Sequence, residues 1–430
     1  MHIGYLSQYF LPEFAAPAVR IQELGRVWMA LGHRVSVLTG FPQYPHGRVF
    51  PGYRGRLFKR EEVDGFEVTR TAIVAPRGRS LGTALNYLSF PVSAATAALV
   101  RRVPRPDVWI ATSPPLFIGM GALALRALQR VPLVFEVRDL WPDSVVDLGE
   151  VRPGRRLDAL YRLERRLYEA ADAVVTVADS AVEAIAAKGI DRAKLFSVPN
   201  GAEVVDTPAL TAEERAAARA RFGVHADAFV VGYVGTHGRS QRLHALAPAV
   251  RALAGEGVQF VFVGDGAEKP QLQHALAGSG ALLLPSQPRA AISSLYGLCD
   301  VCLVPLGDFP VVSRAIPSKL FEIMGHARPF VALVRGDAAE IGRRSGAGEV
   351  AEPEDTAALV EAVRRLRARG AEGLEAMGRA GREYLRARYT RERMALRYLD
   401  VLERVVSQAA ACAGADLSAR PAPPCPAVRG

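Results

Sequence analysis

Asp300-Val301-Cys302-Leu303-Val304-Pro305, and after a short loop Ile316-Pro317-Ser318-Lys319-Leu320-Phe321-Glu322-Ile323-Met324-Gly325, read as an apolar strand leading to the start of a helix. A short apolar run of this kind suits a strand buried on both faces of a parallel sheet. Pro317 suits a helix start, where its missing N–H is no loss. In an open α/β domain, the loop after a strand and the first turn of the next helix form the ligand-facing edge. Lys319 there can neutralise phosphate. Glu322, one turn on and on the same helix face, can accept from sugar or ribose hydroxyls. The same letters also describe a surface i, i+3 pair behind a proline, so the rest of the chain decides.

That strand–loop–helix grammar repeats outward in both directions. Apolar strands are expected from near His2, Val35, Glu67, Val108, Leu133, Ala173 and Phe196, then from Val230, Gln259, Ala281, Val301, Phe330 and Glu349. Amphipathic stretches such as 156–170 and 356–369 lie between them, which predicts parallel sheets with crossover helices. Pro199-Asn200-Gly201 reads as a tight turn closing a strand, and a charged helix over 213–221 precedes the next one. The fold expected is α/β, with two Rossmann-like domains facing a central cleft. The first spans 1–203 and the second 204–391. A last helix over 392–408 is expected to pack back across both, and 409–430, rich in Ala and Pro, to be a disordered tail.

A chain of 430 residues exceeds what one core usually supports, in agreement with two domains. Its net charge of +10 is uneven: residues 1–106 hold fourteen Lys/Arg against six Asp/Glu, a balance of +8. Such a face suits an anionic membrane surface or a phosphorylated substrate. Sparse aromatics and the lack of any nucleic-acid motif argue against nucleic acid. Cys299 and Cys302 form a C-x-x-C pair, but Cys302 falls in the apolar strand and no second pair has zinc-site spacing, so both read as core residues. The chain opens directly into strand-like sequence without a signal peptide, and no run is apolar enough to span a bilayer. A cytoplasmic protein is expected. Residues 85–100 read as a packed helix, with membrane-surface contact as the alternative.

Three other loops carry chemistry. Gly235-Thr236-His237-Gly238 follows a strand, and its glycines would let backbone N–H groups approach a phosphate; Arg239 and Arg242 add cations. A plain strand-to-helix turn is the competing reading. Gly264-Asp265-Gly266 is a second glycine-bearing exit. With Ser318, Lys319 and Glu322, three exits of the second half offer nucleotide-binding chemistry. In the first half, Ala15 and Ala16 lie before a helix containing Arg20; they either leave room for a ligand or form an ordinary turn of small residues. Another apolar strand ends abruptly in Arg138-Asp139-Leu140-Trp141-Pro142, either a functional cluster or a buried Arg–Asp pair.

Several motifs occur in an ordered series: Tyr9-Phe10-Leu11-Pro12-Glu13, the stretch Leu38 to Arg48, Pro51-Gly52-Tyr53-Arg54-Gly55, Arg138 to Pro142, Pro199-Asn200-Gly201 and Pro317 to Glu322. Together they resemble glycosyltransferase family 4, in particular its WbuB-like branch, which includes N-acetyl-fucosaminyl transferases of surface-polysaccharide assembly. The resemblance runs over residues 1 to 405. It implies the GT-B fold, a nucleoside-diphosphate sugar donor on the C-terminal domain, an acceptor on the N-terminal one, retention of configuration, and no metal or other cofactor.

Residue by residue, the resemblance assigns Lys319 to the leaving diphosphate, supported by Gly235 to Gly238 and Arg239, and Glu322 to the nucleotide ribose. Arg314 stands where the family's E-x7-E element has its first glutamate, and an Arg cannot accept from hydroxyls. Ala15 and Ala16 replace a common Gly-Gly pair, and Arg138 with Asp139 occupies the place of a His-Asp pair near the reacting centre. The activity implied is transfer from a nucleoside-diphosphate sugar, UDP-linked, to a lipid-linked or saccharide acceptor at the inner face of the membrane. The alternatives are a soluble transferase acting on a small scaffold and a non-catalytic nucleotide-sugar-binding protein.

Overall fold

The computed structural model describes residues 1–418 except 14, 45–46, 76–80, 101, 150, 152 and 207–209. Pro45 and His46 of the motif series, and the part of the expected tail over 419–430, lie outside the described residues. Packing groups the chain into two compact units. One comprises Met1–Val137, Arg165–Val175 and Ala395–Gly430; the other comprises Arg138–Glu164 and Thr176–Met394.

The first sheet holds β1 (His2–Leu6), β2 (Arg34–Gly40), β3 (Phe58–Val63), β4 (Phe66–Thr71), β5 (Val108–Ser113), β6 (Leu133–Val137), β7 (Ala173–Thr176) and β8 (Leu195–Ser197), in the order β3-β4-β2-β1-β5-β6-β7-β8. The pairs β4–β2, β2–β1, β1–β5 and β5–β6 are parallel. The sheet is not wholly parallel, because β3 pairs antiparallel with β4. Charged residues dominate Phe58–Val63 and hid it from a search for apolar runs, as an edge strand's polar residues do. The signal that marks it is Asp64-Gly65. Both residues have positive φ, as the tightest hairpin turns require, and Val63 pairs with Phe66 across them.

The second sheet holds β9 (Phe229–Val234), β10 (Val258–Val263), β11 (Leu282–Leu284), β12 (Val301–Pro305), β13 (Phe330–Leu333) and β14 (Gly348–Ala351). Its order, β11-β10-β9-β12-β13-β14, is parallel throughout. Numbered within the unit this is 3-2-1-4-5-6, the doubly wound dinucleotide-fold order, whose strand order reverses between the first and fourth strands. The crevice rule therefore points to the exits of β9 and β12. Phe260, Phe262, Leu303 and Val331 fill the core on this sheet. Each such side chain stabilises the unit by roughly 1.5–3 kcal/mol.

In the first unit, Trp28 of helix Ala16–Ala30 stacks on Tyr5 at 6.0 Å and meets Tyr398 edge-on at 5.6 Å. Its indole N–H donates to the Ala395 carbonyl at 2.9 Å, anchoring the last helix. That helix is Arg391–Ser418, so residues 409–418 are helical and not a disordered tail. Alanine carries the helix on, since it forms helix best of all residues, and the first helix-breaking proline of the tail comes only at Pro421.

Candidate functional site

Residues from β9, β10 and β12 meet because those strands are neighbours in the second sheet. After β9 the backbone turns at Gly235, with φ +150°, and after β10 at Gly264, with φ +146°. A Cβ on Gly264 would lie 1.9 Å from the Gly235 carbonyl oxygen, and one on Gly266 would lie 2.3 Å from that of His237. The two loops thus pack backbone against backbone, which explains these glycines without any ligand. Gly235 N–H donates to the Val263 carbonyl at 2.9 Å, His237 N–H to that of Asp265 at 3.0 Å, and Gly238 N–H to the Gln241 side chain at 3.2 Å. Three of the four amides expected to face a phosphate are therefore already engaged. Thr236 and Arg239 are exposed beside them.

Lys319 is the centre of the arrangement. Helix Ser318–Gly325 buries Leu320, Phe321, Ile323 and Met324, which turns Ser318, Lys319 and Glu322 outward from the core. The Lys319 ammonium lies 3.9 Å from the Tyr233 ring centroid and donates to its hydroxyl at 2.5 Å. The hydroxyl in turn donates to the Thr236 carbonyl at 2.7 Å. A buried strand residue thereby ties the lysine to the glycine loop. Gly235 makes the approach feasible, since a Cβ there would sit 2.6 Å from the ammonium. Among the described residues Lys319 has no ion-pair partner. Crowding by protein atoms pushes its pKa down to about 7, although solvent still reaches part of the side chain, and Glu322 pulls it partly back.

Glu322 accepts from the Tyr296 hydroxyl at 3.4 Å, and its backbone carbonyl accepts from His326 Nδ1 at 2.8 Å. The Tyr296 and His326 rings pack at 4.6 Å, so this carboxylate is braced from behind. His237 differs from a phosphate-binding cation. It is buried, and burial first, then Lys269 and Lys319, lowers its pKa to about 4. It is a neutral packing group between the loops. Lys269 is a brace as well, donating to Asp265 at 2.7 Å and to the Gly264 carbonyl at 2.8 Å. Its ammonium and the Ser286 amide hold Asp265 down to about 2. Arg242 is drawn to Glu354 at 2.8 Å. Arg314 is exposed at the end of the short turn Pro310–Arg314.

The remaining expected residues lie elsewhere. Arg138 and Asp139 follow β6; Arg138 is half-buried and Asp139 exposed, so a buried pair is not what they form. Crowding by protein atoms raises the Asp139 carboxyl above its ordinary range, and Arg138 opposes that shift. Ala15 is the extended residue before helix Ala16–Ala30, half-buried, and Ala16 is exposed. Nearby, buried Glu13 accepts the amides of Gln43 and Tyr44 at 2.7 Å each and clasps the loop after β2. Sequence reading passed over Tyr233, Tyr296 and His326. Only the phenol two residues before Gly235 was a usable signal, and strand alternation reads it as core.

Comparison with known proteins agrees with this architecture. Residues 16–201 match the Glycosyl transferase 4-like domain, and residues 228–369 match Glycosyl transferases group 1. WcaI of Escherichia coli (strain K12), named as a glycosyl transferase of colanic acid biosynthesis, is 27% identical over 350 residues, which cover 78% of this chain and 85% of WcaI. Among solved structures, sucrose-phosphate synthase from Thermosynechococcus elongatus superposes with a TM-score of 0.71 at 16% identity, covering 95% of this chain and 99% of that one. HepE of Anabaena, solved in complex with UDP and glucose, gives 0.69 at 17% identity, covering 93% and 99%. At such identities the structures speak for the fold alone.

Proposed function

Because the chain belongs to glycosyltransferase family 4 and has the GT-B fold, we propose that it moves a sugar from a nucleoside-diphosphate sugar to an acceptor hydroxyl with retention of configuration. The donor is UDP-linked, its sugar an N-acetylated amino sugar, and the acceptor a lipid-linked or saccharide intermediate of surface-polysaccharide assembly. Residues 204–391 hold the donor and residues 1–203 the acceptor. The enzyme works in the cytoplasm, peripheral to the inner face of the cell membrane; the free, buried thiols of Cys299 and Cys302 suit a reducing compartment.

One observation carries this reading: Lys319, a cation without a salt bridge among the described residues, stands at the strand exits where a doubly wound sheet binds its ligand. In the proposed reaction the bond from the anomeric carbon to the diphosphate oxygen breaks. The acceptor oxygen bonds to the same face of that carbon, and its proton passes to the departing phosphate. The charge that grows on the diphosphate is met by Lys319, with exposed Arg239 and Thr236 beside it. Glu322 holds the ribose hydroxyls, pre-positioned by Tyr296. Arg138 and Asp139 serve the reacting centre. No metal takes part.

The test is a binding screen of nucleotide sugars with the purified full chain, followed by mass spectrometry of products on lipid-linked and soluble acceptors. Products whose anomeric configuration, read by NMR, matches the donor are expected. Donor binding with no transfer to any acceptor would favour a nucleotide-sugar-binding protein. Transfer to small scaffolds alone would move the acceptor to secondary metabolism.

A further inference from the structure

A cavity of about 900 Å³ lies within the second unit, lined by residues of helices Ala212–Phe222, Ile292–Leu298 and Gly370–Arg388 and by His326, Ala327 and Arg328. Those last three residues follow helix Ser318–Gly325, which starts at the exit of β12 and delivers the chain back to the start of β13. The cavity therefore sits at the opposite edge of the sheet from the strand exits. At about 1.5 Å per residue, His326 is roughly 10 Å down the helix from Lys319. The volume exceeds what a bare ion fills and falls in the range of small-molecule sites. None of the donor-site residues named above lines it.

Its charges do not balance locally. Arg215 is committed to Asp300 at 2.6 Å, and Asp206 to Arg386 at 2.6 Å. Glu214 accepts the amide of Thr211 at 2.8 Å and closes the start of its own helix. What remains is cationic. The half-buried Arg328 guanidinium donates to the Cys299 carbonyl at 3.5 Å and has no carboxylate partner among the described residues. The half-buried Arg382 guanidinium forms no hydrogen bond or ion pair among the described residues. Arg379, one turn before it on the same helix face, holds Glu375 only at 3.7 Å, and both are exposed. A single solvated arginine is ordinary. Here two half-buried ones open on one hollow, beside the hydroxyls of Ser293 and Ser294. Planar forks of N–H donors with hydroxyls next to them are the donor set that recognises a phosphate group.

His326 stands between this cavity and Glu322. Burial lowers the imidazole's pKa, so the ring is neutral. Its Nδ1 lies 2.8 Å from the Glu322 carbonyl, which can only accept, so Nδ1 carries the proton. Nε2 is then left to accept from the Ser293 hydroxyl at 3.2 Å, on the cavity side. The Tyr296 ring packs on the imidazole, and its hydroxyl donates to the Glu322 carboxylate. We propose that the cavity binds a small organic phosphate, and that filling it alters the hold of Glu322 on the nucleotide. The phosphate lies between Arg328 and Arg382, with Arg379 and the two serine hydroxyls at its edge. Ser293 turns from Nε2 to the ligand, and the imidazole and the phenol stacked on it readjust behind Glu322. The site stands apart from the transferase reading; the coupling rests on it, because there Glu322 holds the ribose.

The test is calorimetric titration of the full chain with glucose 1-phosphate, and separately with inorganic phosphate, each with and without saturating UDP. UDP keeps the probe out of the donor site, so binding of glucose 1-phosphate in its presence is expected and reports the cavity. The UDP affinity should change severalfold when the probe saturates, and linkage requires the probe's affinity to change by the same factor. Arg382→Ala should weaken the probe about tenfold or more while keeping the parent's melting curve and its UDP affinity measured without probe. Lys319→Ala should weaken UDP and leave the probe bound. Absence of probe binding in the UDP-loaded chain would overturn the proposal, as would equal probe affinity in Arg382→Ala and the parent. An unchanged UDP affinity in the probe-loaded chain would overturn the coupling. Equal affinity for inorganic phosphate would overturn the assignment of an organic ligand. A parent chain that binds the probe but no UDP would overturn the donor reading and leave the site standing.

Discussion

Arg20 and Lys319 are both cations near a helix start, one in each unit, yet their surroundings differ throughout. Arg20 is buried and pairs with Glu136 at 2.9 Å, while Thr112 donates to the other carboxylate oxygen at 2.8 Å. Charge and hydrogen-bonding capacity are met inside the protein: burial lowers the arginine's pKa, but Glu136 with Tyr5 and Tyr398 more than offsets it, so the net shift is upward. Lys319 has a neutral phenol as its partner and a pKa pushed down to about 7. A buried ion pair with its bonds complete holds a fold together. A crowded cation lacking a salt bridge is destabilised until an anion arrives. The contrast separates a structural charge from a functional one on physical grounds.

The contrast can be broken by experiment. Arg20→Met leaves Glu136 buried without its cation and should cost about 3–5 kcal/mol in denaturant unfolding. An unchanged midpoint would show that Arg20 is not structural. Lys319→Ala should leave stability unchanged or raised, while lowering kcat about 10²- to 10³-fold. A well-folded variant with near-parent turnover would remove Lys319 from the reaction. Gly264→Ala forces a methyl group against the Gly235 carbonyl at a backbone angle that favours glycine. It should destabilise the second unit by about 2 kcal/mol and weaken UDP binding, read by melting and calorimetry.

Two smaller effects sharpen the same point. The depressed lysine pKa means that binding a diphosphate draws a proton onto Lys319. UDP affinity should be flat below pH 7 and fall about tenfold per unit above it, with proton uptake seen as buffer-dependent binding heat. A flat affinity from pH 6 to 9 would contradict the proposed contact. In the absence of ligand the sign reverses. A lysine whose pKa is lowered by folding burdens the native state below pH 7, and the burden lifts as pH rises toward the ordinary lysine value. Tyr233→Phe keeps the ring under the ammonium but removes the hydroxyl. It should raise KM for the donor a few-fold, about 1 kcal/mol, with kcat little changed. An equal fall in kcat and kcat/KM would make the hydroxyl part of the transition-state machinery.

Most of the parallel architecture was legible because most of its strands, such as Val258–Val263 and Phe330–Leu333, are buried apolar runs. Phe58–Val63 escaped because an edge strand needs little apolar surface, although Asp64-Gly65 marked its turn. The last helix runs past its expected end at 408 because alanine's helix propensity offsets the low hydrophobicity of the sequence. In the site, the positions of Lys319 and Glu322 could be read from a strand followed by a helix start. What surrounds them could not. The glycines expected to cradle a phosphate also let two loops interlock, which only the fold shows. His237, in the loop expected to face a phosphate, is buried, and burial pushes its pKa down to about 4.

Sequence alone determined the periodicity, the order of the elements and the residue types at each strand exit, because each is local and written in consecutive letters. Tertiary structure decided which charges are satisfied. Whether Lys319 meets a carboxylate or a phenol depends on Tyr233, a residue 86 positions away that is brought alongside by the pairing of β9 with β12. Burial and partner shift a cation's pKa from its ordinary value and so bear on whether it serves the fold or awaits a ligand.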